Sequence, residues 1–376
     1  MNVNVQPLVE RNNAFALDLY TILSTNEGNL CISPYSVYVA LAMTFAGARG
    51  ATEKQMAKAM HISFTQYEFH KGFAQLLKQI SAVGQEKNIE LLSANSIYPH
   101  NRYSFLESFI NCLKENYDTT VTPIDYSEPE TSRKIINQWV KEKTQEHISE
   151  LIPSGMLDPL TRLVLVNAIY FKGFWEKQFD KQKTVNSSFW VSSEKSVDVP
   201  TMRQKAGFKY TEDNQVQILE LPYQSESVSL IIILPNARVG LAIIDKGLTS
   251  QDLSKWLTES SYETVDVHLP SFKIKSGFNL NEMLKSMGML DAFDERADFS
   301  GMDGTQLIYL SDTIHQASIE VNEEGATATA ATAVVAGTKS LPVEFQFHAD
   351  HPFIYFLREN TTGSILFIGR VLNPAG

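Results

Sequence analysis

One basic residue, Lys339, stands in a stretch that is otherwise free of charge from Gly325 to Val343. A protease with an acidic specificity pocket would find a single obvious bond there, Lys339–Ser340. A lone lysine in a loop otherwise reads as a solvated charge. Other candidate chemistry is sparse. His348-Ala349-Asp350-His351 has metal-ligand residue types, but they sit on an apolar strand approach and no metal is assigned to them. There is no Gly-x-Ser-x-Gly elbow, no His-Glu-x-x-His pair and no phosphate-binding loop. No cofactor is therefore expected, and the chain does not read as an enzyme. The two cysteines, Cys31 and Cys112, lack metal-ligand spacing and read as buried free thiols, with a disulfide left open.

The segment in front of Lys339 is unlike the rest of the chain. From Gly325 to Gly337 it holds only Gly, Ala, Thr and Val. Small residues often make a flexible loop, yet a solvated loop normally carries Ser, Asn, Asp, Lys or Glu, which are missing here. Read with period two, Ala326, Ala328, Ala330, Thr332, Val334 and Ala336 share one face. Thr and Val favour strands, and small side chains fit between existing strands without clashes. A charge on the inward face would be costly to bury without a partner. The composition suits a loop that at times becomes a central strand. Glu323 and Glu324 precede it and are placed to anchor one end.

The surrounding elements follow from hydrophobic spacing. Helical patterns lie at Leu8–Leu23 (Phe15, Leu19 and Ile22 on one face), then from Ser33-Pro34 to Gly47, from Thr52, at Phe69–Val83 and at Phe105–Asn116. A polar-rich amphipathic helix is expected over Thr131–Ile152, with Ile135, Trp139 and Ile148 inward. Strands are expected at Leu91–Tyr98, Leu163–Phe171, Val216–Leu221, Val228–Leu234, Thr264–Leu269 and Ile365–Val371. Leu163–Phe171 is apolar on both faces and belongs in the middle of a covered sheet. Short helices follow at Ser250–Leu257 and Leu280–Met287. Helices crowd the first third and strands the rest, with no repeat and no linker, which favours one α+β domain with large mixed sheets.

The chain has 376 residues, 43% of them hydrophobic and 20% charged, enough for a large core. Its net charge of −11 makes nucleic acid and anionic membranes poor partners. No apolar run is long enough to insert in a membrane. The start, Met1-Asn2-Val3-Asn4-Val5, carries no secretory pattern. Sequons stand at Asn186 and Asn360.

Four motifs in order resemble the serpin family. Ser33-Pro34-Tyr35-Ser36 is similar to the family's buried helix start, and Asn167-Ala168-Ile169-Tyr170-Phe171-Lys172-Gly173-Phe174-Trp175 to its central strand. Glu323-Glu324-Gly325-Ala326-Thr327-Ala328 resembles its proximal hinge, and Phe347 to Leu357 its C-terminal signature. The resemblance covers nearly the whole chain. It implies a single serpin domain over 1–376, an α+β fold of three β-sheets and about nine helices, with a reactive loop at about 323–342 near the C-terminus. It also implies a suicide-substrate inhibitor. The protease attacks the loop and is held as an acyl-enzyme, and the cut loop enters the main sheet as a metastable native state relaxes. Counting along the loop from Glu323, as inhibitory members do, reaches Lys339 again. The implied targets are trypsin-like serine proteases, with cleavage after Val335, Ala336 or Thr338 by elastase-like enzymes, or a non-inhibitory carrier or chaperone role, as alternatives.

By the same resemblance Ser33, Ser36, Asn167 and His315 form the shutter under the main sheet, and Trp175 with Glu323 the breach where insertion starts. Some relatives place a lysine after His268-Leu269-Pro270 to pair with the hinge glutamate. Ser271 stands there, leaving Lys273 or Lys275 as substitutes. Lys71, Lys78 and Lys87 are too widely spaced, beside Glu68 and Glu86, for a heparin site. A monomer is expected, secreted or cell-surface with its leader not in this chain, or alternatively cytoplasmic.

Overall fold

The computed structural model describes residues 4–119, 121–323 and 344–376. Among them are ten α-helices: α1 (Gln6–Leu23), α2 (Pro34–Phe45), α3 (Gly50–Ala59), α4 (Gln66–Val83), α5 (Glu107–Tyr117), α6 (Pro129–Lys143), α7 (Leu241–Gly247), α8 (Ser250–Glu259), α9 (Asn281–Ser286) and α10 (Ser300–Asp303). The strands are β1 (Leu30–Ile32), β2 (Ile89–Pro99), β3 (Leu163–Gly173), β4 (Val185–Trp190), β5 (Ser196–Glu212), β6 (Val216–Pro222), β7 (Val228–Pro235), β8 (Ser261–Pro270), β9 (Phe272–Asn279), β10 (Asp312–Val321), β11 (Glu344–His348), β12 (Phe353–Glu359) and β13 (Ile365–Val371).

They form a four-stranded sheet, β2-β3-β10-β9, and a nine-stranded one, β1-β13-β12-β7-β6-β5-β8-β11, with β4 paired to β5. Among the described residues the expected three sheets are thus two hydrogen-bonded sheets. The 17-residue β5 pairs with β8 over Thr201–Tyr210 and with β6 over Lys209–Glu212, and so joins two groups of strands into one.

The four-stranded sheet is covered on both faces, as the doubly apolar β3 requires. Leu163, Leu165, Ile169 and Phe171 point into the main core; Val164, Val166 and Ala168 alternate onto the other face. There they meet Ile136 and Val140 of α6 with Ile148, Leu151 and Ile152. The helix over Thr131–Ile152 ends earlier than its pattern suggests. Gln145 and Glu146 adopt φ of 47° and 70° and turn the chain. Ile135 is half exposed, so the inward apolar positions are Ile136 and Val140, with Trp139 partly buried beside them as expected. Neighbouring isoleucines left the phase of this helix ambiguous. Asn137 then locks the returning chain, accepting at Oδ1 from Leu151 and Ile152 amides and donating to the Ile152 carbonyl.

On the other face lies α2. Ser33 caps it, its Oγ accepting from the Ser36 amide at 3.2 Å, and Pro34 takes the first position. Every residue of α2 is buried, which explains why it has almost no polar stripe.

Candidate functional site

β3 and β10 run parallel, in register from Asp312↔Val164 to Ile319↔Phe171. A parallel pair with no strand between makes a seam, and four polar side chains on its core face meet beneath it. The Ser33 amide donates to His315 Nε2 at 3.1 Å. That nitrogen must accept, so the ring proton sits on Nδ1 and points at Asn167 Oδ1. His315 and Asn167 face each other across the seam. The Asn167 amide nitrogen donates to Ser36 Oγ at 2.5 Å and to Asn95 Oδ1 of β2. Ser36 Oγ donates on to Asn95 (3.2 Å), and Ser33 Oγ donates to the Leu366 carbonyl at 2.6 Å. The structure thus brings all four shutter residues together and adds Asn95, which register places opposite Asn167. Burial pushes the His315 pKa down to about 3, so the ring is neutral at pH 7. It is a polar staple between two strands, not a proton-transfer group.

At the far end of the seam Trp175 is buried and stacks on Tyr223 with ring centroids 4.3 Å apart. Its indole donates to the Asn322 carbonyl at 2.8 Å, tying down the chain where β10 ends. Glu323 accepts from Thr184 Oγ1 at 2.7 Å. Among the described residues Lys273 pairs with Glu320 at 2.9 Å and not with Glu323, and Lys172 also approaches Glu320 at 3.7 Å. Burial opposes the Glu320 charge, but the two lysines outweigh it and hold the carboxyl below its ordinary range. Ser271 donates from its amide to the Pro200 carbonyl.

Glu324, Gly325, Ala326, Thr327 and Ala328 of the hinge and the Lys339–Ser340 bond lie outside the described residues. Both cysteines are free, Cys31 buried and Cys112 half-buried rather than buried. In the C-terminal signature His351 is taken up structurally. Its Nε2 donates to the Pro235 carbonyl at 2.6 Å and its Nδ1 lies 2.7 Å from Asp350. His348 points elsewhere, stacking on His268 of β8. Sequence reasoning missed that pairing, because His268 and His348 are joined only by strand register.

The serpin (serine protease inhibitor) family model matches residues 10–374. The chain is 40% identical to the human leukocyte elastase inhibitor over 382 residues, covering 98% of this chain and 100% of that protein. It is 41% identical to human serpin B8 over 378 residues, covering 98% and 99%. The crystal structure of maspin superposes with a TM-score of 0.91 at 29% identity, over 98% of this chain and 99% of that one. With the two-sided seam, its polar staple and the family match over almost its full length, the chain belongs to the serpin family of serine protease inhibitors.

Proposed function

We propose that the chain is a suicide-substrate inhibitor of serine proteases, cut at Lys339–Ser340 and closed by insertion of its loop between β3 and β10. The observation that carries this reading is the parallel pairing of those two strands. A chain that leaves the C-terminal end of β10 and doubles back along the seam runs antiparallel to both neighbours. One insertion therefore replaces one parallel ladder with two antiparallel ones, the more stable type per residue. The small, uncharged Gly325–Gly337 segment is longer than the ten residues of β10 and carries nothing costly to bury. Attack at Lys339 would release the loop's far end while the protease is still esterified to it, so insertion and trapping are coupled. The chain contributes no catalytic group; the protease supplies the chemistry.

Lys339 favours a trypsin-like target with an acidic pocket. A second reading has a specific support: relatives at 40% identity are leukocyte elastase inhibitors, which favours cleavage after Val335, Ala336 or Thr338. Lys339→Ala separates the two. Loss of trypsin inhibition with elastase inhibition retained assigns separate bonds; undiminished trypsin trapping removes Lys339 from the bait.

For compartment, the cytoplasmic alternative is the better supported. Both thiols are free and Cys112 is partly accessible, which suits a reducing environment. The Asn360 sequon is already in use, its amide donating to the Glu226 carbonyl and to Ser229 Oγ, both at 2.8 Å.

A further inference from the structure

β11 is an edge strand of five residues whose strand partner among the described residues is β8, and it follows the loop in sequence. Its register sets His348 beside His268 and Gln346 beside Asp266. Asp266 and His268 are two residues apart on one strand, so with His348 they share a face of the sheet. The two imidazoles stack at 3.9 Å with an interplanar angle of 11°. His268 Nε2 lies 3.6 Å from Asp266 Oδ1, and one ligand atom from each of the three residues falls within 4.8 Å of the others. His348 Nε2 is shut off from solvent without a hydrogen-bond partner. A buried polar atom left in that state calls for a ligand.

From this geometry we propose that Asp266, His268 and His348 bind a zinc ion that clips β11 to β8. Two imidazole nitrogens and one carboxylate oxygen are the donor set of an open three-ligand zinc site, with water in the fourth place. Neighbouring ligand atoms around tetrahedral zinc are roughly 3.4 Å apart. The His268–Asp266 separation already matches, and the His348 ring must swing out of its stack on His268 so that both ring planes contain the ion. Two cations bear on the position, and the Arg203 charge acts on His268 against a further positive charge. Lys205 is paired with Glu344 at 2.7 Å. Arg203 lies on the side of His268 away from His348, its Nη2 donating to Ser187 at 3.0 Å. A bound ion would tie the strand that anchors the loop's C-terminal end, and so set how readily that strand leaves the sheet.

The test uses the full chain stripped of metal and titrated with zinc chloride alone. Calorimetry should show one saturable site, weakened at least about 100-fold in both His268→Gln and His348→Gln, since even outer-shell changes cost 10–100-fold. Hydrogen exchange of the unmutated chain gives a second reading that needs no variant. With zinc at about 100 times its Kd, amides of Glu344–His348 should exchange about 100-fold more slowly. No saturable binding, unchanged affinity in either variant, or unchanged exchange in β11 overturns the site.

Discussion

The Nδ1–H of His315 on β10 points at Oδ1 of Asn167 on β3, across the seam between two parallel strands. This contact and the ladder itself must be broken for any strand to enter between them. Asn167→Ala removes the acceptor for His315 and the donor for Ser36 and Asn95 at once. It should destabilise the chain by about 1–3 kcal/mol, the cost of leaving a buried polar group unsatisfied. Urea unfolding followed by tryptophan fluorescence measures this, and a change under about 0.5 kcal/mol would remove the staple from the stability account.

Acid should weaken the fold through the same residue. Burial holds the folded His315 pKa near 3, against an ordinary 6.5. Between these values the unfolded chain binds a proton that the folded chain refuses, so stability is complete above about pH 6.5 and is lost as pH falls towards 3. At pH 5 the loss from this group alone is about 2 kcal/mol. His315→Gln should show a stability difference between pH 8 and pH 5 smaller by about that amount. Parallel pH slopes in the two proteins would mean that His315 is charged or exposed.

A buried charge pair ties the C-terminal strand to α7, and Tyr20 of the first helix joins it. Arg370 donates to Asp245 at 2.8 Å, and Tyr20 donates to the other oxygen of Asp245 at 2.6 Å. Both charged side chains are below 10% exposed. Arg370→Leu leaves the Asp245 carboxylate buried and uncompensated, and should cost about 3–5 kcal/mol. Adding Asp245→Leu should recover much of that loss in the urea midpoint. A double variant no better than the single one would show that the Arg370 contacts to the Ser24 and Asn26 carbonyls carry the effect.

Ala326→Arg places a long cation in the first part of the loop to enter the sheet. Burying it unpaired is unfavourable enough to stall insertion. The variant should be cleaved by the protease yet form little covalent complex. A yield of complex equal to that of the unmodified chain would contradict insertion.

Much of this arrangement is legible in the residues themselves. Ser33-Pro34 announces the start of α2, and the unbroken apolar run of Leu163–Phe171 announces a covered strand. Ser33, Ser36, Asn167 and His315 stand out as polar residues in apolar surroundings. What depends on register is not legible. Asn95 joins the staple, and His268 meets His348, because of strand pairings that no local pattern encodes. On α6 Ile135 and Ile136 stand side by side and either fits a helical stripe; Ile136 is the buried one, while Trp139 and Ile148 pack inward as their spacing suggests. Likewise Lys273 meets Glu320 because the antiparallel register of β9 and β10 sets the two residues opposite each other.

The central claim is covalent trapping at Lys339. The full chain is mixed with trypsin at near-equal molar ratio, and in parallel with leukocyte elastase. Complexes are resolved under denaturing conditions, and the released C-terminal peptide is identified by mass spectrometry. A denaturant-resistant complex with trypsin, together with a peptide that begins at Ser340, is the expected result. Cleavage after Lys339 with no complex from either enzyme would contradict the account and leave the chain a substrate rather than an inhibitor.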